Sequence, residues 1–325
     1  MTEKTRFSEN FEVLQEGTMA MLELWMSNFA RNVQEILVGN SVRLLNSEMV
    51  SSGKSHQNLS NSALVVGAGP SINEKNHLDK LSDSNYSGAI VCTDRMLIPC
   101  LKKGITPDKF PDFYVVTIDP LDKIANFYDD PILNEFGHKI NAILSTCSSP
   151  QVLKKCTEYN LQKYYFHPLI DDYRKISSIN KMINLMSKSD KNPKGFPGMQ
   201  TGGNVGSSCW VFSWAILGKP IVGLIGINFG YLEDTKITDT QHINELINAM
   251  GDEKSARRLY KKVFNPYYEC QVLLDPVFDY YREAFCDLVT RTPKWVRTIN
   301  ATEGGSLFGE RIEQTTLESF LNGFS

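Results

Sequence analysis

Short apolar runs recur along this chain, and most of them end in glycine, aspartate or asparagine. Residues 63–66 (ALVV) run into Gly67-Ala68-Gly69-Pro70-Ser71, and residues 88–92 (GAIVC) into Thr93-Asp94-Arg95. Residues 113–118 (FYVVTI) end at Asp119-Pro120, and residues 221–227 (IVGLIGI) at Asn228-Phe229-Gly230. Two more short runs lie at 142–145 and 163–166. Between them are helix-compatible stretches at 72–81, 96–103 and 207–217. Near-continuous apolar strands alternating with helices specify an α/β fold: a Rossmann-like, mostly parallel sheet with helices on both faces.

The flanking regions read differently. In residues 1–60, Met19, Leu22, Met26, Phe29, Val33 and Ile36 recur at steps of three and four, the spacing of one helix face. This predicts an N-terminal helical extension, packed on its own domain or serving a homodimer. Residues 47–61, rich in Ser, Asn and Gly, read as a linker. Residues 61–231 form the core. Residues 232–295, polar and carrying Arg257, Arg258, Lys261 and Lys262, read as a helical insertion or lid. Residues 296–325 supply a last strand and a closing helix.

Composition narrows the function. The formal net charge is −3, so no global basic bias points to nucleic acid or an anionic membrane. No run approaches the roughly 20 apolar residues of a membrane span. The seven cysteines show no C-x-x-C pair or zinc-finger spacing, which fits a reducing compartment; the expected location is cytoplasmic.

In a parallel sheet, ligands bind beyond the carboxyl ends of the strands. Gly67 and Gly69 permit close backbone approach, Pro70 suits a first helical turn, and Ser71 can cap that helix or donate to a phosphate. The same residues also make an ordinary strand-to-helix turn. The motif is neither G-x-G-x-x-G, because Ile72 takes the third glycine position, nor a Walker loop. Thr201-Gly202-Gly203-Asn204-Val205-Gly206-Ser207-Ser208 is a second turn able to cradle a phosphate or carboxylate, or simply to cap a buried helix. Asp94 and Asp119 can hold Mg²⁺, a ribose or a sugar hydroxyl, or cap turns; Arg95 can pair with a phosphate or a surface carboxylate. His242 is a candidate general base or leaving-group stabiliser, or plain surface; Glu303 can bind an acceptor or brace its loop.

The ordered set of motifs resembles the MptE-like superfamily. That group includes archaeal 6-hydroxymethyl-dihydropterin pyrophosphokinases and the motility-associated factor (Maf) glycosyltransferases, and it is similar to bacterial sialyltransferases that use CMP-sialic acid. The resemblance runs from the 63–71 motif through Asp94-Arg95, 104–108 (GITPD), 116–120 (VTIDP), 202–205 (GGNV) and 226–229 (GINF) to 300–305 (NATEGG). The last motif resembles the Maf side. The resemblance implies transfer of a nonulosonic, sialic-acid-like sugar from a CMP donor to a hydroxyl of flagellin or another surface protein. The Gly67 and Gly202 turns with Asn228 would then hold the donor, and His242 would assist. Asn228 stands where the family often has Asp, so an acidic role there is lost. The alternative is diphosphate transfer from ATP, with Mg²⁺ on Asp94 and Asp119. A third possibility is a non-catalytic nucleotide-binding assembly protein.

Overall fold

The computed structural model describes residues 3–45 and 61–324, with side chains from residue 21 onward. Met19's side chain and nearly all of the expected linker at 47–61 lie outside these. The strands of the main sheet are β1 (Asn40–Ser41), β2 (Ser62–Val66), β3 (Ala89–Thr93), β4 (Phe113–Thr117), β5 (Asn141–Ser145), β6 (Gln162–Pro168), β7 (Gly198–Met199) and β8 (Ile221–Ile225). Strands β9 (Tyr231–Leu232), β10 (Lys261–Asn265) and β11 (Cys270–Leu274) form a separate antiparallel sheet. Strands β12 (Arg297–Asn300) and β13 (Ile312–Gln314) return to the main one.

The main sheet runs β1-β6-β5-β4-β3-β2-β8-β12-β13, with β7 beside the end of β6. Every pairing in it is parallel. Pleating sends alternate residues to opposite faces, and both faces are buried. Leu64 and Val66 enter one core with Leu81, Leu101, Val152 and Phe320 from the helices after β2, β3, β5 and β13. Ala63 and Val65 enter the other with Trp210, Phe212, Phe285 and Val289. The chain therefore winds outward from β2 through β6 with its helices on one face. It then crosses to the other side of β2, reaching β8 by a helix on the opposite face. The order reverses between β2 and β8, the switch point beyond whose carboxyl ends sheets of this kind form a ligand crevice.

The N-terminal helix Glu3–Val38 is anchored to the core, not detached from it. Phe29 and Ile36 are buried in the first core. One turn apart, Asn28 Nδ2 donates to Pro120 O at 2.8 Å, and Asn32 Nδ2 donates to Ser148 O at 2.8 Å and Thr146 O at 3.3 Å. Both asparagines are buried, so they satisfy loop carbonyls beyond β4 and β5 that water does not reach.

Residues 232–295 are not wholly helical, which corrects the sequence reading. The hairpin β10–β11 lies within them, with Val263 opposite Val272. Alternating burial along β10 explains the polar composition, since one face of the hairpin is wet. Ile243, Leu246, Leu259, Tyr260 and Leu273 form a small core of their own. The helix Pro276–Arg291 instead rejoins the main core through Phe285 and Val289. Among the described residues no helix is long and apolar enough to cross a membrane.

Asn32→Ala removes the donor to two buried carbonyls. It is expected to lower unfolding free energy by about 1–3 kcal/mol, measured by chemical denaturation.

Candidate active site

The crevice is built on a tight joint. Gly67 N–H donates to Ile225 O and Gly69 N–H to Gly226 O, both at 2.8 Å. A β-carbon at either Gly67 or Gly69 would stand 2.6 Å from Gly226 O, so the β2 and β8 turns meet only as glycines. Ser71 Oγ donates to Asn228 Oδ1 at 2.8 Å, and Ser306 N–H donates to Asn228 O at 2.8 Å. This corrects the expectation that the Gly67 and Gly69 amides point at an anion. They are engaged by β8, and Ser71 is buried and paired. Only Ala68 N–H between them, at the exposed tip, makes no backbone hydrogen bond.

The second turn lies against the same joint. Ile227 packs against both: a β-carbon at Gly206 would come within 2.7 Å of its Cδ1, which also crowds Gly67. Gly202 and Gly203 take consecutive left-handed conformations, with φ of 58° and 80°. Asn204 Oδ1 accepts from Ser207 N–H at 2.8 Å and caps the helix Val205–Val211, which continues as a wider turn over Phe212–Ile216. Asn204 Nδ2 donates to Ser207 Oγ, Ser208 Oγ donates to Asn204 O, and Thr201 Oγ1 accepts from Gly203 N–H. These side chains therefore shape the turn instead of reaching out of it. What the turn offers a ligand is backbone N–H at the start of a helix.

Asp94 and Asp119 follow β3 and β4. Asp94 is buried at 5% exposure; its Oδ1 accepts from Arg95 N–H at 2.8 Å, and its Oδ2 is buried without a partner. Burial pushes its carboxyl up to about 7, and the neighbouring Asp119 carboxylate adds to the shift. Burial also raises Asp119, whose Oδ1 accepts from Leu121 N–H at 2.9 Å. Thr93 Oγ1 is likewise buried and unpartnered. Two orphan oxygens beside the crevice suit a ligand hydroxyl or amine. Two carboxylates also suit Mg²⁺ shared with a phosphate. Among the described residues, however, no three His, Cys, Asp or Glu side chains converge on one point. Arg95 is exposed, its guanidinium 5.4 Å from the Phe127 ring centre.

His242 is not plain surface. Its Nδ1 lies 2.7 Å from Asp275 Oδ2, and Tyr231 Oη donates to the same oxygen at 2.8 Å. Asp275 is buried and caps the helix Pro276–Arg291, its Oδ1 accepting from Phe278 N–H at 2.8 Å. Burial and then Asp275 raise the Tyr231 phenol, keeping it a donor. With Nδ1 against the carboxylate, Nε2 is the ring nitrogen that Asp275 does not engage. The same helix joins this pair to the glycine turn. Phe278 packs on His242 at 5.2 Å, and Tyr281, one turn on, lies against Gly203. Tyr281 is also close enough to Asp119 and Asp275 for both to raise its phenol, after burial, to about 12.

Glu303 braces its loop. Its Oε1 accepts from Leu317 N–H at 3.0 Å and meets buried His77 Nε2 at 3.3 Å. Sequence reasoning did not single out Asp275, Tyr231 or Tyr281. The available signal was Asp275-Pro276, a cap followed by a first-turn proline, which marks a helix start and nothing more.

Residues 27–234 match the family model described as 6-hydroxymethylpterin diphosphokinase MptE-like. The chain belongs to this family. No curated protein matches the MptE-like chain. Among solved structures it is similar to a Maf glycosyltransferase from Magnetospirillum magneticum AMB-1, at 16% identity and a TM-score of 0.53. The match covers 90% of this chain and 42% of that one, and at this identity it concerns the fold.

An acid with a raised folded pKa binds more protons folded than unfolded between its two pKa values, so it costs stability as pH rises through them. For Asp94 that window runs from 3.8 to about 7. Asp94→Asn is expected to stabilise the ligand-free protein by about 2–4 kcal/mol at pH 8, with the gain fading towards pH 4, in denaturation at several pH values.

Proposed function

We propose that this chain is a Maf-like glycosyltransferase that moves a nonulosonic, sialic-acid-like sugar from a CMP donor to a protein hydroxyl. The His242–Asp275–Tyr231 arrangement supports this reading most. It supplies an oriented base packed on Phe278, one helical turn before the tyrosine that lies against the glycine turn.

In the proposed reaction, the acceptor oxygen attacks the anomeric carbon as the bond from that carbon to the CMP phosphate oxygen breaks. His242 Nε2 takes the acceptor proton, and Asp275 balances the imidazolium that forms. CMP departs with the bonding electron pair. Backbone N–H of Val205 and Gly206, at the start of the helix, faces its phosphate, with Asn228 and exposed Arg95 at the same rim. The orphan Oδ2 of Asp94 takes a ribose hydroxyl. The acceptor is a serine or threonine of flagellin or another surface protein.

Diphosphate transfer from ATP to a pterin alcohol is the second reading. The family description and the Asp94–Asp119 pair favour it. Bound Mg²⁺ would neutralise the transferring phosphates there. Of the two carboxylates, Asp94 is held by burial towards its protonated form, which suits a hydrogen bond to a hydroxyl better than a metal.

Thermal shift with CMP, CDP, ATP, UDP and GDP, with and without Mg²⁺, separates the readings. CMP is expected to raise Tm by several degrees without metal. Stabilisation by ATP with Mg²⁺ alone would favour the kinase. Stabilisation by nucleotide without turnover in either assay would favour an assembly role.

His242→Asn is expected to lower kcat by about 10²–10⁴-fold at little cost in Tm. Asp275→Asn, which still caps its helix, is expected to give most of that loss. Full activity in His242→Asn would overturn the base assignment.

A further inference from the structure

The segment between β6 and β7 leaves and re-enters the sheet at the carboxyl end of β6, where Pro168 pairs with Met199. It carries the helix Ile179–Met186, which buries Ile183. Met182, Leu185 and Met186 share its opposite face, at 56%, 66% and 52% exposure. Ile176, in the preceding turn, is 99% exposed, and Tyr173 is 48% exposed. Lys181 ties that turn to the helix: its ammonium donates to Lys175 O at 2.9 Å and lies over the Tyr173 ring.

Cations are frequent in the same segment. From residue 173 to 194 the chain has six Lys or Arg and a single acid, Asp190, although its overall charge is negative. Lys175, Lys188 and Lys194 are exposed and form no ion pair among the described residues. Protein interfaces are depleted in lysine and enriched in aromatics, methionine and arginine. Here lysine dominates, Tyr173 is the one exposed aromatic, and Arg174 is held by Asp172 at 3.0 Å. Long exposed apolar side chains interspersed with exposed lysines match the acyl–headgroup boundary of an anionic bilayer instead.

We propose that the 173–194 surface docks reversibly on anionic membrane, with Ile176, Met182, Leu185 and Met186 entering the headgroup layer and the lysines engaging lipid phosphates. Docking there places the carboxyl rim of the sheet next to the bilayer. The proposal does not depend on which group the crevice transfers.

The test is co-sedimentation of the full chain with phosphatidylcholine/phosphatidylglycerol vesicles and with pure phosphatidylcholine vesicles, at low and high salt. Binding to the mixed vesicles alone, lost at high salt, is expected. Leu185→Glu with Met186→Glu, and separately Lys188→Glu with Lys194→Glu, are each expected to weaken it on the order of tenfold or more with Tm unchanged. No binding to mixed vesicles at low salt overturns the proposal, as does equal binding by the variants. So does a wild-type oligomer in sedimentation velocity that Leu185→Glu dissociates without altering vesicle binding; the patch would then join copies of the chain.

Discussion

Two backbones can approach as closely as β2 and β8 do at their ends only where side chains are absent. The carbonyls of Ile225 and Gly226 take the amides of Gly67 and Gly69, and Asn228 then takes the hydroxyl of Ser71. Ladder pairing is thereby prolonged past the last strand residues, at the place where strand order reverses. Everything around the crevice is referred to this joint. Ile227 packs against it and against Gly206, where the helix after the second turn begins. Ser306 and Thr302 bond to the backbone at 227–229 and draw in the loop after β12.

A second rigid part is the helix Pro276–Arg291. Its cap, Asp275, orients His242, while Tyr281 and Leu288 support Gly203 and Gly202. An imidazole and a glycine turn that belong to distant parts of the sequence are thus held on one rod. Its register is fixed by Phe285 and Val289 in the core. Asp94 contrasts with Asp275, which receives three donors. Asp94 keeps one buried oxygen without a hydrogen-bond partner, a local cost in stability.

Much of the sheet was legible because buried parallel strands leave short apolar runs that end in turn residues. Those ends located Gly67, Asp94, Asp119 and Asn228 on one rim. The roles within the rim were less legible. A glycine signals close approach but not what approaches, so Gly67 and Gly69 looked like anion donors when their amides belong to β8. Likewise, Asn204 and Ser207 are as suitable for capping as for binding, and the structure uses them as caps. His242 and Asp275 lie 33 positions apart, with a hairpin between them whose alternating pattern was masked by Lys261 and Lys262. Side chains that meet only through such a detour leave no local pattern in sequence.

The outermost members of the main sheet are unusually brief: β1 has two residues and β13 has three. An incoming extended segment would find too few open amide and carbonyl groups there to continue the ladder. The long parallel array is therefore self-limiting. It can present a broad rim for chemistry without offering neighbouring molecules a template for runaway β-assembly.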